Sequence, residues 1–125
     1  MAEQPPLDLR EKLRDHALGL PETYEDHPWG ETVVKVRKKI FLFLGVDHGD
    51  QQAGFGVKLV ASHDHALSVP GAAPTGYGLG KAGWVNVPLE TQLPPTEVLL
   101  DWVEESYRLV APKRVAAVLD RQRGQ

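Results

Sequence analysis

Thr32-Val33-Val34-Lys35-Val36-Arg37-Lys38-Lys39-Ile40-Phe41-Leu42-Phe43-Leu44-Gly45 is the stretch on which the fold turns. Two runs rich in β-branched and aromatic residues flank a cluster of cations, the pattern of a β-hairpin. If Arg37-Lys38 is a two-residue turn, Val36 pairs with Lys39, Lys35 with Ile40 and Val34 with Phe41. Phe41 then shares a face with Val34 and Val36, while Lys35 falls on the opposite face with Leu42 and Leu44. The charge gathers at the hairpin tip and does not run along one face. A third β-rich run, Phe55-Gly56-Val57-Lys58-Leu59-Val60, follows the polar, turn-prone loop from Gly45 to Gln52.

Upstream of the hairpin, Asp8 and Glu11 have the spacing of a capping box, and Leu9, Leu13 and Ala17 recur on one helical face. Gly19 before Leu20-Pro21 predicts a left-handed helix stop. The segment from Pro21 to Glu31 reads as a turn-rich acidic loop. Downstream, Ser62 is placed to cap a short helix through Leu67, closed by Pro70-Gly71, and residues 72–80 read as an extended connection. Residues 81–89 supply another strand, with Trp84 and Asn86 on one side and Val85 and Val87 on the other.

The last third is helical. Pro95 suits a first-turn position, and Leu99, Trp102, Val103, Ser106, Leu109 and Val110 form a stripe of helical period. Ser106, on that stripe, is expected to bond a carbonyl one turn earlier. Glu104 precedes Arg108 by four residues, the favourable order for an ion pair. Pro112 breaks the helix and starts a shorter one carrying Val115, Val118 and Leu119. Short strand connections exclude parallel crossovers. The expectation is a single α+β domain over residues 1–125, with an N-terminal helix, an antiparallel sheet of about four to five strands, and C-terminal helices on one face. Residues 1–6 and 121–125 are expected to fray.

A length of 125 residues with 42% hydrophobic and 25% charged residues is that of one globular domain with a real core. With no cysteine there is no disulfide framework and no thiolate chemistry. Neither a secretory signal nor an apolar run long enough for a bilayer is visible, so no membrane association and a cytoplasmic location are expected.

Several of these segments together resemble the MmcQ/YjbR-like family. The likeness runs from about Leu20 to Leu119 and rests on Leu20-Pro21 followed by acids and on His27-Pro28-Trp29-Gly30. It continues through Val36-Arg37-Lys38-Lys39-Ile40-Phe41, Val57-Lys58-Leu59, Gly83-Trp84-Val85 and Ser106-Tyr107-Arg108-Leu109-Val110. The resemblance implies an α+β domain of the kind described as double-wing, similar in topology to type III secretion chaperones, and it implies DNA binding. The family's hairpin turn typically carries Gly-Gly; Arg37-Lys38 here makes the tip more cationic.

The formal net charge of −3 excludes a surface coated in positive charge, so contact with nucleic acid must use a local patch. Residues 32–60 carry Lys35, Arg37, Lys38, Lys39 and Lys58 against Asp47 and Asp50, and residues 112–125 carry Lys113, Arg114, Arg121 and Arg123 against Asp120. Residues 22–31 and 95–111 are acidic. The nucleic-acid-contacting set read from this is Lys35, Arg37, Lys38, Lys39, Lys58 and Lys81, with duplex DNA as partner. The same cations also describe a solvated hairpin protected from edge pairing. A second reading is a protein-interaction or small-ligand module, using the sheet face or a cleft near Trp29, Trp84 and Tyr107. His63 and His65, two apart on a helix, do not face each other, so no metal and no cofactor is expected. None of the standard nucleophile, phosphate-loop or metalloprotease motifs is present, and a non-catalytic role is expected.

Overall fold

Pro6, whose missing N–H costs nothing in a first helical turn, opens helix α1 (Pro6–Leu18) and leaves Asp8 inside that turn instead of at the cap. In the computed structural model, residues 6–28, 31–46, 54–75, 79–89 and 92–124 are described. After α1 come strands β1 (Thr23–Asp26), β2 (Glu31–Val36), β3 (Lys39–Val46) and β4 (Gly54–Lys58), then the short helix α2 (His63–Leu67). Strands β5 (Ala73–Pro74) and β6 (Trp84–Pro88) follow, then helices α3 (Thr96–Val110) and α4 (Lys113–Gln122). The architecture is α+β, and the sheet is antiparallel with six strands in the order β1-β2-β3-β4-β6-β5. Two strands beyond the sequence reading, β1 and β5, are short and lie at the two edges.

The close of α1 differs from the expected glycine stop. The Gly19 N–H bonds the carbonyls of Asp15 and His16, and the Thr23 hydroxyl lies 3.0 and 2.9 Å from the carbonyl oxygens of Ala17 and Leu20. The threonine hydroxyl thus ties the start of β1 back to the end of α1, sharing its proton between the Ala17 and Leu20 carbonyls. The left-handed residue is Glu22, at φ 60°, immediately before β1.

The hairpin turn itself is as read: Val36 pairs with Lys39 and Lys35 with Ile40 across Arg37-Lys38. Beyond that the register changes, because Val34 pairs with Leu42, not Phe41, and Val33 with Phe43. Phe41 is an extra residue on β3, and Leu44 is a second one between the Val33 and Thr32 pairs. These two bulges correct the expected face assignment. Phe41, Leu42 and Leu44 all enter the core, and Phe43 turns to the outer face with Lys35. The driving force is burial: three of the four large apolar side chains from Phe41 to Leu44 reach the core where strict alternation would bury two, at about 1.5–3 kcal/mol each.

On the core face, Val34, Leu42, Val57 and Val85 line up across four strands, all fully buried. Leu9, Leu13 and Ala17 of α1 and Leu99, Trp102 and Val103 of α3 complete the same core. Ser106 is fully buried, and its hydroxyl donates to Phe41 O at 2.6 Å while accepting the Lys58 N–H at 2.9 Å. It bridges β3 and β4, where only Leu42↔Val57 and Phe43↔Gly56 pair directly, and does not bond back into its own helix. Leu109, expected on the buried stripe, is 41% exposed; Tyr107 takes the inward place one turn from Val103. Glu104 does not pair with Arg108. It accepts from Arg123 and meets His16 at 2.8 Å, while Arg108 pairs with Asp120. The Arg123 contact docks the C-terminal end of α4 on α3.

Candidate functional site

The site grows from the β2–β3 turn. Arg37 (φ 52°) and Lys38 (φ 75°) both have left-handed backbones, the signature of the primed turn that matches strand twist. Side chains other than Gly, Asn and Asp are uncommon there, and each left-handed residue costs roughly 1–2 kcal/mol. Arg37, Lys38 and Lys39 are all exposed. Lys38 and Lys39 have no partner among the described residues. Arg37 grips the Glu22 carboxylate with both its Nε and its Nη2, the latter at 3.3 Å from Oε2.

Antiparallel order then decides what shares this end of the sheet. β2 ends there, so β3 starts there, β4 ends there at Lys58, and β1 and β6 start there at Thr23 and Trp84. Lys81 sits in the 3₁₀ turn Leu79–Ala82 just before β6, exposed. Arg37, Lys38, Lys39, Lys58 and Lys81 therefore gather at one end. Lys35 does not belong with them. It lies mid-strand on the outer face, half-buried, and its Nζ donates to Asp26 Oδ2 at 2.7 Å. That contact holds the Asp26 carboxyl below, and the Lys35 ammonium above, their ordinary ranges.

Two groups that the linear reading did not connect to the tip complete its electrostatics. Glu22 is held below the usual carboxylate range, first by the Arg37 hydrogen bond, with Arg114 of α4 adding its charge. Arg114 is exposed, in the first turn of α4, and no side-chain partner is found for it among the described residues. Glu22 and Arg114 are remote in sequence, and nothing in the local pattern of either signals the encounter. It arises because α3 carries the chain back to Pro21, next to Glu22.

Of the residues read as a cleft, Trp29 lies outside the described residues. Trp84 is only 8% exposed and packs edge-on against Phe43, ring centres 5.2 Å apart. Tyr107 is fully buried, edge-on to Phe41, and its hydroxyl donates to Pro21 O at 2.8 Å. Burial pushes that phenol up to about 12. Trp84 and Tyr107 face different sides of the sheet and wall no common cleft, because both rings gain more from packing than from solvent. The histidines do not converge either. His63 lies against Asp64 at 3.5 Å, and His65 stands edge-on to Trp102. Among the described residues no group of three or more His, Cys, Asp or Glu is placed to hold a metal ion.

A shallow depression of about 460 Å³ lies between α3 and the end of β4, floored by Val60, Ala61 and Leu109 and rimmed by Asp101, Glu105 and Arg108. Glu105 is engaged, its Oε2 accepting the N–H groups of Val60 and Ser62 at 2.7 and 3.2 Å. This acid thus ties down the turn that leads into α2, whose N-cap residue Ser62 makes no side-chain cap bond.

The YjbR family model matches residues 18–109, most of the chain and all of the sheet. The chain belongs to the YjbR family. Among solved structures, a YjbR-like Deinococcus radiodurans protein carrying the family-model domain DUF419 is 26% identical. The alignment covers 86% of this chain and 82% of that one, with a TM-score of 0.64. A Pseudomonas syringae protein shares the fold at 22% identity and a TM-score of 0.60, over 81% of this chain and 97% of its own. No functionally curated protein matches the chain. Among the described residues of this YjbR protein, no helix is long and apolar enough to cross a membrane.

Proposed function

We propose that this YjbR protein is a non-catalytic binding domain that contacts the phosphate backbone of duplex DNA with the β2–β3 hairpin tip. The observation that carries the reading is the turn chemistry. Two cations occupy left-handed positions where Asn-Gly is more stable, so the chain holds positive charge at the tip against its own folding preference. Lys39, Lys58 and Lys81 at the same end of the sheet extend the contact surface. These contacts are with phosphate, which positions a protein without reading bases, so sequence discrimination is weak.

With five such contacts the logarithm of affinity falls with the logarithm of salt at a slope of roughly −4.5. The test is a titration of a mixed-sequence duplex at several salt concentrations, with the wild type and with Arg37, Lys38 and Lys39 together changed to Glu. A steep wild-type slope, with binding lost in the variant, is expected. Equal binding by the two proteins sinks the reading.

A protein-interaction role is the second reading. What favours it is the depression at Val60 and Leu109, which are 69% and 41% exposed where a core would bury them. In that case Leu109→Lys abolishes partner capture and leaves DNA affinity unchanged.

A further inference from the structure

Among the described residues, Glu22 is the one acid bonded to a cation of the hairpin tip, and the fold fixes it there from both sides. On one side the Pro21 carbonyl accepts the buried Tyr107 hydroxyl at 2.8 Å. On the other, Thr23 ties β1 to the end of α1 through its hydroxyl. Glu22 itself takes a left-handed backbone at φ 60°, a conformation that a non-glycine residue adopts only when its surroundings impose it. The carboxylate so placed takes a two-nitrogen grip from Arg37. Planar two-nitrogen binding of an oxyanion is also how arginine holds a phosphate diester.

The second arm of the site comes from α4. Tyr107 lies at the end of α3, and the Ala111 N–H bonds the Tyr107 carbonyl at 2.7 Å, so the chain enters α4 beside Pro21. This puts Arg114, exposed, close enough for its charge to act on Glu22. Lys113 precedes it in the same turn, also exposed. Acids stabilise a first helical turn and cations do not, yet the first turn of α4 has two cations and no acid. Arg37 thus bonds this carboxylate directly, and Arg114, remote in sequence, adds its charge.

We infer that Glu22 is a built-in competitor for phosphate, occupying Arg37 until a DNA phosphate displaces it, and that Arg114 is part of the same phosphate-binding surface. The inference rests on the proposal that the hairpin tip contacts DNA. It adds a regulated arginine, a second contributing element and a defined on-site inhibitor.

The experiment uses the full chain and a mixed-sequence duplex of about 20 base pairs, titrated between about 50 and 200 mM salt. Four proteins are compared: the wild type, Glu22→Gln, Arg114→Gln, and a Lys38→Gln/Lys39→Gln hairpin control. Thermal melting of each variant establishes that it is folded. Glu22→Gln is expected to bind more tightly, with a slope steeper by about 0.9, so that its advantage shrinks about threefold across the salt range. Arg114→Gln is expected to bind more weakly, with a slope shallower by about 0.9.

If the hairpin control loses binding while Glu22→Gln and Arg114→Gln match the wild type, the competitor inference falls and the hairpin reading stands. If the hairpin control also matches the wild type, both fall together. A wild type that does not bind while Glu22→Gln does supports the inference directly, and no binding by either overturns both.

Discussion

Lys38→Gly separates the two consequences of the strained turn, because it should stabilise the fold and weaken DNA binding together. Lys38 sits at φ 75°, the second central position of the turn. A lysine there is strained by roughly 1–2 kcal/mol relative to its preferred conformations. Glycine removes that strain but has more unfolded-state freedom to lose, about 0.5–1 kcal/mol. The net gain is about 0.5–1 kcal/mol, and for a domain of this size the melting temperature rises by roughly 2–5 °C. The Lys38 side chain has no partner among the described residues, and Arg37 keeps its grip on Glu22, so no lost interaction offsets the gain. The same change removes one phosphate contact, making the salt slope of duplex binding shallower by about 0.9. Urea unfolding and a salt-resolved DNA titration on one preparation read both effects. A variant less stable than the wild type refutes the strain argument, and an unaltered salt slope refutes contact by Lys38.

The remaining predictions concern what holds the tip in place and when it fails. Ser106→Ala leaves the Phe41 carbonyl and the Lys58 N–H without their buried partner, so it should destabilise by about 2–4 kcal/mol in urea unfolding; a loss under about 0.5 kcal/mol means that the strands repair the gap themselves. Stability should also fall in acid. Glu104 is held below its ordinary value of 4.5, first by the Arg123 hydrogen bond, and Glu105 is lowered because the N–H bonds from Val60 and Ser62 outweigh its burial. Carboxyls with lowered folded values stabilise fully above the unfolded value and lose that contribution as pH falls through the folded one. The urea midpoint should therefore hold from about pH 7 to pH 5.5 and decline below about pH 4.5, with a shallower decline in Glu104→Gln. An identical decline in that variant excludes Glu104 as a source.

The hairpin, the helical last third and the antiparallel sheet were legible because each has a strong local signal. Val33, Val34 and Val36 with the Ile40–Leu44 run have high strand propensity, and residues 99–110 have a clear helical period. The bulges at Phe41 and Leu44 were not legible. Ile40-Phe41-Leu42-Phe43-Leu44 is apolar at every position, so no alternation exists to mark where the register slips. β1 was invisible for a related reason. Thr23-Tyr24-Glu25-Asp26 is a polar edge strand whose pairing depends on β2 and not on its own propensity. At the site, the cations of one continuous segment could be read as a cluster. The reduction of that cluster by Asp26 and Glu22, and its extension by Arg114, are tertiary effects across 9, 15 and 92 residues of chain from Lys35, Arg37 and Glu22 respectively.

Distance explains why a protein of net charge −3 can still present a cationic contact surface. From Val36, at the tip, back to Glu31, at the other end of β2, is about 17 Å at ~3.3 Å per residue. The Debye length is about 8 Å in physiological salt, so an exposed acid two screening lengths away subtracts little from the field at the tip. Asp26 lies toward that far end, paired with Val33, and is further occupied by Lys35. Glu104 and Glu105 are engaged by Arg123 and by backbone N–H groups. At hydrogen-bonding range of a tip cation there remains, among the described residues, Glu22. The strength of the tip's field thus depends on one carboxylate, and a single substitution there should change phosphate affinity more than removing an acid from any other part of the surface.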